Sequence, residues 1–136
     1  MYSMRLEVEG MKFHCEFEMP GLPPSPNAMG KHWAENHRVR KRWRRDAFLA
    51  FKAAAGPMPH LDWIRVRYTR RSSREPDSDN AVAATKNLQD GLTDVIREVN
   101  QAFDDTPSQL AGEWRWEKAA RGKGSMLIEI WGGVTE

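Results

Sequence analysis

Cysteine is nearly absent. The single Cys15 among 136 residues permits no disulfide within the chain and excludes a cysteine-rich zinc site. No apolar run approaches the roughly 20 residues that cross a bilayer, so no membrane partner is expected. The opening MYSMRLEVEG lacks the apolar segment of a signal peptide, and an intracellular address is the expectation. There is no glycine-rich phosphate loop, no internal repeat and no low-complexity linker. The histidines, His14, His32, His37 and His60, show no metal-ligand spacing beyond the chance proximity of His32 and His37. These absences leave one soluble domain, residues 1–136, long enough to bury a core without covalent staples.

What is present is 40% hydrophobic and 29% charged, and its net charge of +2 conceals strong segregation. Residues 31–46 carry seven basic and two acidic side chains, and residues 65–74 carry five basic and none acidic. Residues 75–105 carry eight acids and two bases, a net of −6. One such block alone reads as a solvated face. Two basic blocks beside an acidic one point to a cationic surface with a carboxylate pocket, suited to a polyanion such as nucleic acid.

Periodicity supplies the elements. Residues 11–19, MKFHCEFEM, alternate with Phe13, Cys15, Phe17 and Met19 on one side, a strand with one buried face. Cys15 is therefore a core residue and not a nucleophile. Residues 4–9 suggest a short preceding strand turned at Gly10, and GLPPSPN (21–27) an extended connection. Residues 34–55 read as a helix with Val39, Trp43, Ala47, Phe51 and Ala54 along one stripe and arginines opposite, stopped by Gly56-Pro57. Residues 61–69 alternate again, and 70–76 form a polar loop. A helix over 79–99 presents Val82, Thr85, Leu88, Leu92, Val95, Ile96 and Val99. GEWRWEK (112–118) and SMLIEIW (125–131), joined by ARGKG, read as a terminal antiparallel hairpin. Trp114 and Trp116 share one face of that hairpin and read as core or subunit-interface residues. The order β-α-β-α-β-β gives an α/β (α+β) domain with a mixed sheet and two main helices.

Asp77-Ser78-Asp79 opens the acidic stretch and Asp104-Asp105 closes it. Either Asp77 or Asp79 could simply cap a helix. If the chain after the helix returns to the helix start, Asp77, Asp79 and Asp105 together offer oxygen ligands for a hard divalent cation such as Mg²⁺, able to activate water against a phosphodiester. Arg70, Arg71 and Arg74 would lie alongside, as phosphate contacts.

These residues resemble the RusA-like Holliday-junction resolvases, small bacterial and prophage endonucleases. The likeness runs through PPSPN with Pro23, Pro24, Ser25 and Asn27, the basic stretch after it, DSDN with Asp77, Asp79 and Asn80, KNLQDGL with Lys86 and Asp90, and FDD with Phe103, Asp104 and Asp105. The resemblance implies a RusA-like fold, a cytoplasmic homodimer, and paired symmetric nicking of four-way junctions in DNA recombination and repair. It implies Mg²⁺, with Mn²⁺ as a substitute, on Asp77, Asp79 and Asp105. Lys86 would be at the scissile phosphate, and Asn80, Asp90 and Asp104 would support the ligands. Lys31, His32, Arg38, Arg42 and Arg45 would join the three arginines in gripping DNA. The family sets its lysine one helical turn after the second aspartate, where Ala83 stands here. Lys86 regains its place if the helix begins late, near Ala81–Ala84, with the additional residues in the loop. The alternative is a non-catalytic DNA-binding or regulatory protein on the same fold.

Overall fold

Strand β1, Met11–Pro20, keeps the predicted alternation, and its Phe13 and Phe17 rings lie 6.1 and 6.2 Å from Phe51. The computed structural model describes residues 11–25 and 32–135. The suggested strand at 4–9, Asn27 and Lys31 fall outside that range. Helix α1, Trp33–Ala55, buries Trp43, Ala47 and Phe51. It ends at Gly56, whose φ of 64° suits glycine and whose N–H bonds to the Lys52 carbonyl at 3.1 Å. Ala54, expected on the buried stripe, is exposed instead. Strand β2 spans Trp63–Ser72, helix α2 Ser78–Ala84, helix α3 Lys86–Arg97, strand β3 Leu110–Lys118 and strand β4 Ser125–Gly133.

The result is a small α+β domain with a four-stranded mixed sheet and, among the described residues, three helices. No described helix is long and apolar enough to cross a membrane. The strand order is β1-β4-β2-β3, with β2 and β3 parallel and β4 antiparallel to both of its neighbours.

The expected terminal hairpin does not form. β2 lies between β3 and β4, and the chain steps over the end of β2, where the Ala119 N–H bonds to the Ser72 carbonyl. A short link containing glycine serves a hairpin or a one-strand step equally well. Burial decides between them. Met126, Ile128, Ile130 and Trp131 are all 5% exposed or less, which suits a central strand, whereas β3 leaves Arg115, Glu117 and Lys118 exposed, which suits an edge.

The single helix expected over 79–99 is two helices meeting at Thr85. This residue is 2% exposed, at φ −93° and ψ 0°. Its hydroxyl donates to the Val82 carbonyl at 2.8 Å and accepts from the Trp114 indole N–H at 2.9 Å. The break releases Val82 from the apolar face, and it stands 44% exposed. α3 thus starts at Lys86, but the additional residues form α2 rather than a loop. β2 also runs three residues further than the pattern indicated, carrying Arg70, Arg71 and Ser72 into the sheet.

α1 and α3 contribute to one core against the same sheet face, with Leu88, Leu92, Val95 and Ile96 beside Ile64, Val66, Tyr68, Ile128 and Ile130. Glycine at 91 costs a helix about 1 kcal/mol relative to alanine. A Cβ there would collide with the Arg44 carbonyl, so the two helices cross closely only because it is absent. That crossing brings Arg44 to Asp94 in a two-pronged contact of 2.7 and 2.8 Å.

Candidate functional site

Lys86, the first residue of α3, is the meeting point. Its Nζ donates to Asp105 Oδ2 at 2.9 Å and to Asp90 Oδ1 at 3.0 Å. Asp90 follows on the same helix face, one turn on, while Asp105 comes from the loop after α3. The Gln89 amide also donates to Asp105 Oδ2, at 3.3 Å. The two carboxylates raise the Lys86 pKa, Asp105 contributing most, and the Lys86 hydrogen bond is the main cause lowering that of Asp105. Below this group, burial first and the charge of Asp90 second hold the Tyr68 hydroxyl protonated, with Trp114 stacked on its ring at 5.6 Å. Trp114 is thus a core residue, as expected.

Asp104 turns the other way. Its Oδ1 accepts from Arg97 Nη2 at 2.9 Å and from the Asp105 N–H at 2.9 Å, which makes it the clasp that shapes the loop.

Asp77 and Asp79 stand at the start of α2. Asp77 has the extended backbone of an N-cap, φ −61° and ψ 145°, and its carbonyl accepts from the Ala81 N–H, but its side chain makes no capping hydrogen bond. Both carboxylates are exposed, and Asn80 is half-buried. Among the described residues no three His, Cys, Asp or Glu side chains are grouped to hold a metal ion. Asp77, Asp79 and Asp105 therefore do not fit a cation as they stand. The rest of α2 and Thr85 lie between Asp79 and Lys86, and Lys86 already holds the Oδ2 atom of Asp105.

The basic blocks divide. Arg71 is committed to Glu18 at 2.7 Å and Glu117 at 3.3 Å. Arg70 points to the helix side and is half-buried, its Nη1 3.4 Å from the Pro23 carbonyl and its Nε without a hydrogen-bond partner. Burial without an acidic partner lowers its pKa. It lines a recess of about 210 Å³ with Pro23, Ser25, Pro76 and Asn80, a place where an anion would meet a guanidinium that has no ion pair among the described residues. Arg74 is exposed beside Arg121 around a second depression.

On α1, His32 occupies the N-cap without a side-chain cap. Arg38, Arg42 and Arg45 are exposed, on the side away from α3. The side facing α3 instead forms a groove of about 480 Å³ lined by His37, Arg40, Lys41, Arg44 and Asn87. From the sequence, Arg40, Lys41 and Arg44 fall on the same basic side as Arg38, Arg42 and Arg45 and are not set apart as DNA contacts, although their spacing of three and four residues is visible. Asn87, the groove's contribution from α3, directly follows Lys86 in the chain. No protein-family model and no curated protein matches this chain.

Proposed function

We propose that this chain is an endonuclease of branched DNA, acting on a phosphodiester brought to Lys86 by the groove between α1 and α3. One observation carries the reading: Lys86 and Asp105, which the resolvase resemblance marks as functional, meet at 2.9 Å although 19 positions apart, at the start of the helix whose Asn87 lines a cationic groove. The groove cations would hold the sugar–phosphate backbone without reading bases. An ammonium beside a phosphate stabilises the charge that develops during cleavage. Asp105 and Asp90 hold Lys86 charged and extended. The resemblance adds Mg²⁺ on Asp77, Asp79 and Asp105, and a homodimer whose two-fold axis would give two symmetric nicks in a four-way junction. Since those carboxylates are not grouped, no step is assigned to the ion.

A second reading, a DNA-binding protein without cleavage, is favoured by that same lack of a three-ligand group. One assay separates the two. A labelled four-way junction is incubated with the protein and Mg²⁺, beside a linear duplex and an EDTA control. Symmetric nicking of the junction alone establishes the endonuclease. Tight binding with no nicking, in Mg²⁺ or Mn²⁺, establishes the binder. Light scattering on the same sample should give about twice the 15.7 kDa chain mass.

A further inference from the structure

We infer that Trp33, stacked on His37 at the mouth of the α1 groove, is a platform for an unpaired nucleobase of the strand whose phosphates lie along Arg40, Lys41 and Arg44. The inference rests on the nucleic-acid reading above and adds the class of DNA the groove takes. Trp33 is 77% exposed, the most exposed large apolar side chain among the described residues. Its ring lies parallel to that of His37, at 5.4 Å and 7° between planes. At about 100° per residue, positions 33, 37, 40, 41 and 44 fall within a sector of about 100° of the helix, so aromatic pair and cations form one stripe. The stripe extends about 16 Å along the axis from Trp33 to Arg44. His37 belongs to both parts, being stacked on the indole and also lining the groove.

The cations are available. Arg40 and Lys41 make no ion pair among the described residues, while Arg44 is held by Asp94 at the inner end. A backbone threaded past Lys41 and Arg40 leaves the groove at the free indole. An aromatic surface beside a cationic track is the arrangement on which single-stranded bases stack without regard to sequence. A base inside a duplex already has both faces covered, so the occupant is unpaired, as at a branch point or a strand end.

The test compares wild type, Trp33→Ala and Trp33→Phe by fluorescence anisotropy on a blunt duplex and on the same duplex with a short single-stranded extension. A second extended probe carries 2-aminopurine at its first unpaired position. The alanine variant should bind the extended probe about five- to 150-fold more weakly, the range of one base–aromatic stack, and the blunt duplex unchanged. It should also lose the 2-aminopurine quenching that wild type produces. Phenylalanine should restore most of both. Equal affinity of the alanine variant and wild type for the extended probe overturns the inference and leaves the groove reading standing. The same holds for an equal loss on both probes, or for a drop in mass from dimer to monomer, which would make Trp33 a subunit contact. Wild-type protein that binds neither probe overturns the inference together with the DNA reading.

Discussion

On β2, Arg67 faces Glu113 at 3.3 Å and Glu129 at 3.6 Å, and Arg71 faces Glu18 and Glu117. On α1, Arg40 and Lys41 stand among other cations, and of the groove cations Arg44 is the one tied to an acid among the described residues, Asp94 of α3. Both stretches are dense in arginine, but β2 spends Arg67 and Arg71 on glutamates, whereas Arg40 and Lys41 of α1 have no ion pair among the described residues. The reason is register. Arg67 sits directly opposite Glu113 on β3 and Glu129 on β4, so each neighbouring strand supplies a counter-charge at the right rung. A helix borders its neighbour along one line, and α3 offers the groove-facing stripe Asn87 and Asp94. Counting basic residues therefore overstates the cationic surface of β2 and understates the importance of α1.

The comparison can be sharpened first at Lys86 and Asp79, where the largest effects are expected. Lys86→Ala should slow junction cleavage by about 100-fold or more, the scale of losing one preorganised charge donor, with little change in binding. On the resemblance's assignment of Mg²⁺ to Asp79, Asp79→Asn should abolish cleavage, with binding retained or tightened because an exposed carboxylate repels phosphate. Unaltered nicking by either variant on a gel would remove that residue from the site.

Reversal of Arg40 and Lys41 to glutamate should weaken junction binding by at least tenfold near physiological salt. It should also reduce the slope of log affinity against log salt by about two, as two phosphate contacts are lost. Reversal of Arg42 and Arg45, on the outer side of α1, should weaken binding less and alike for all DNA sequences. Equal losses in the two pairs would mean that the groove is no more than part of a diffuse basic surface.

Arg67→Met should fail differently. Glu113 is 6% exposed and would keep only Arg115, at 2.8 Å. The expected cost is about 1–3 kcal/mol of stability, read as a lower Tm, with DNA affinity unchanged. A variant of normal Tm that binds DNA poorly would break the comparison outright.

The smallest effect concerns pH. The Asp105 pKa is lowered by folding, so its contribution is present above the unfolded value near 3.8 and is lost as pH falls through the folded value. The Lys86 pKa is raised, so its contribution is present below 10.5 and is lost as pH rises through the folded value. The tie between the loop after α3 and the start of α3 therefore holds across the interval between. In Lys86→Met the part of the acid-side Tm decline due to Asp105 should shrink. An unchanged acid limb would mean that the contact adds nothing to stability.

Much of the fold was legible in the chain. The alternation of MKFHCEFEM and the stripe Trp43, Ala47, Phe51 specified β1 and the buried side of α1, because side-chain direction follows from the period of each element. The Gly56 stop was legible for the same local reason. The Asp104-Asp105 pair could be marked as important but not divided, since the two neighbours differ only in what lies around them. Arg97 claims one and Lys86 the other. The break at Thr85 was not legible either, because AVAAT is acceptable inside a continuous helix. The tertiary partner of the Thr85 hydroxyl, the Trp114 indole N–H, lies 29 residues further on.

The sequence by itself thus determined the elements, their buried faces and the segregation of charge, all of which are local or periodic properties. Tertiary structure decided which strands are neighbours, which arginines are spent on glutamates and which are left for a partner. It also carried Asp105 to Lys86 rather than to Asp77 and Asp79. Those outcomes depend on distances between residues far apart in the chain. Such distances are set by the insertion of β4 beside β2 and by the close crossing of α1 and α3 at Gly91.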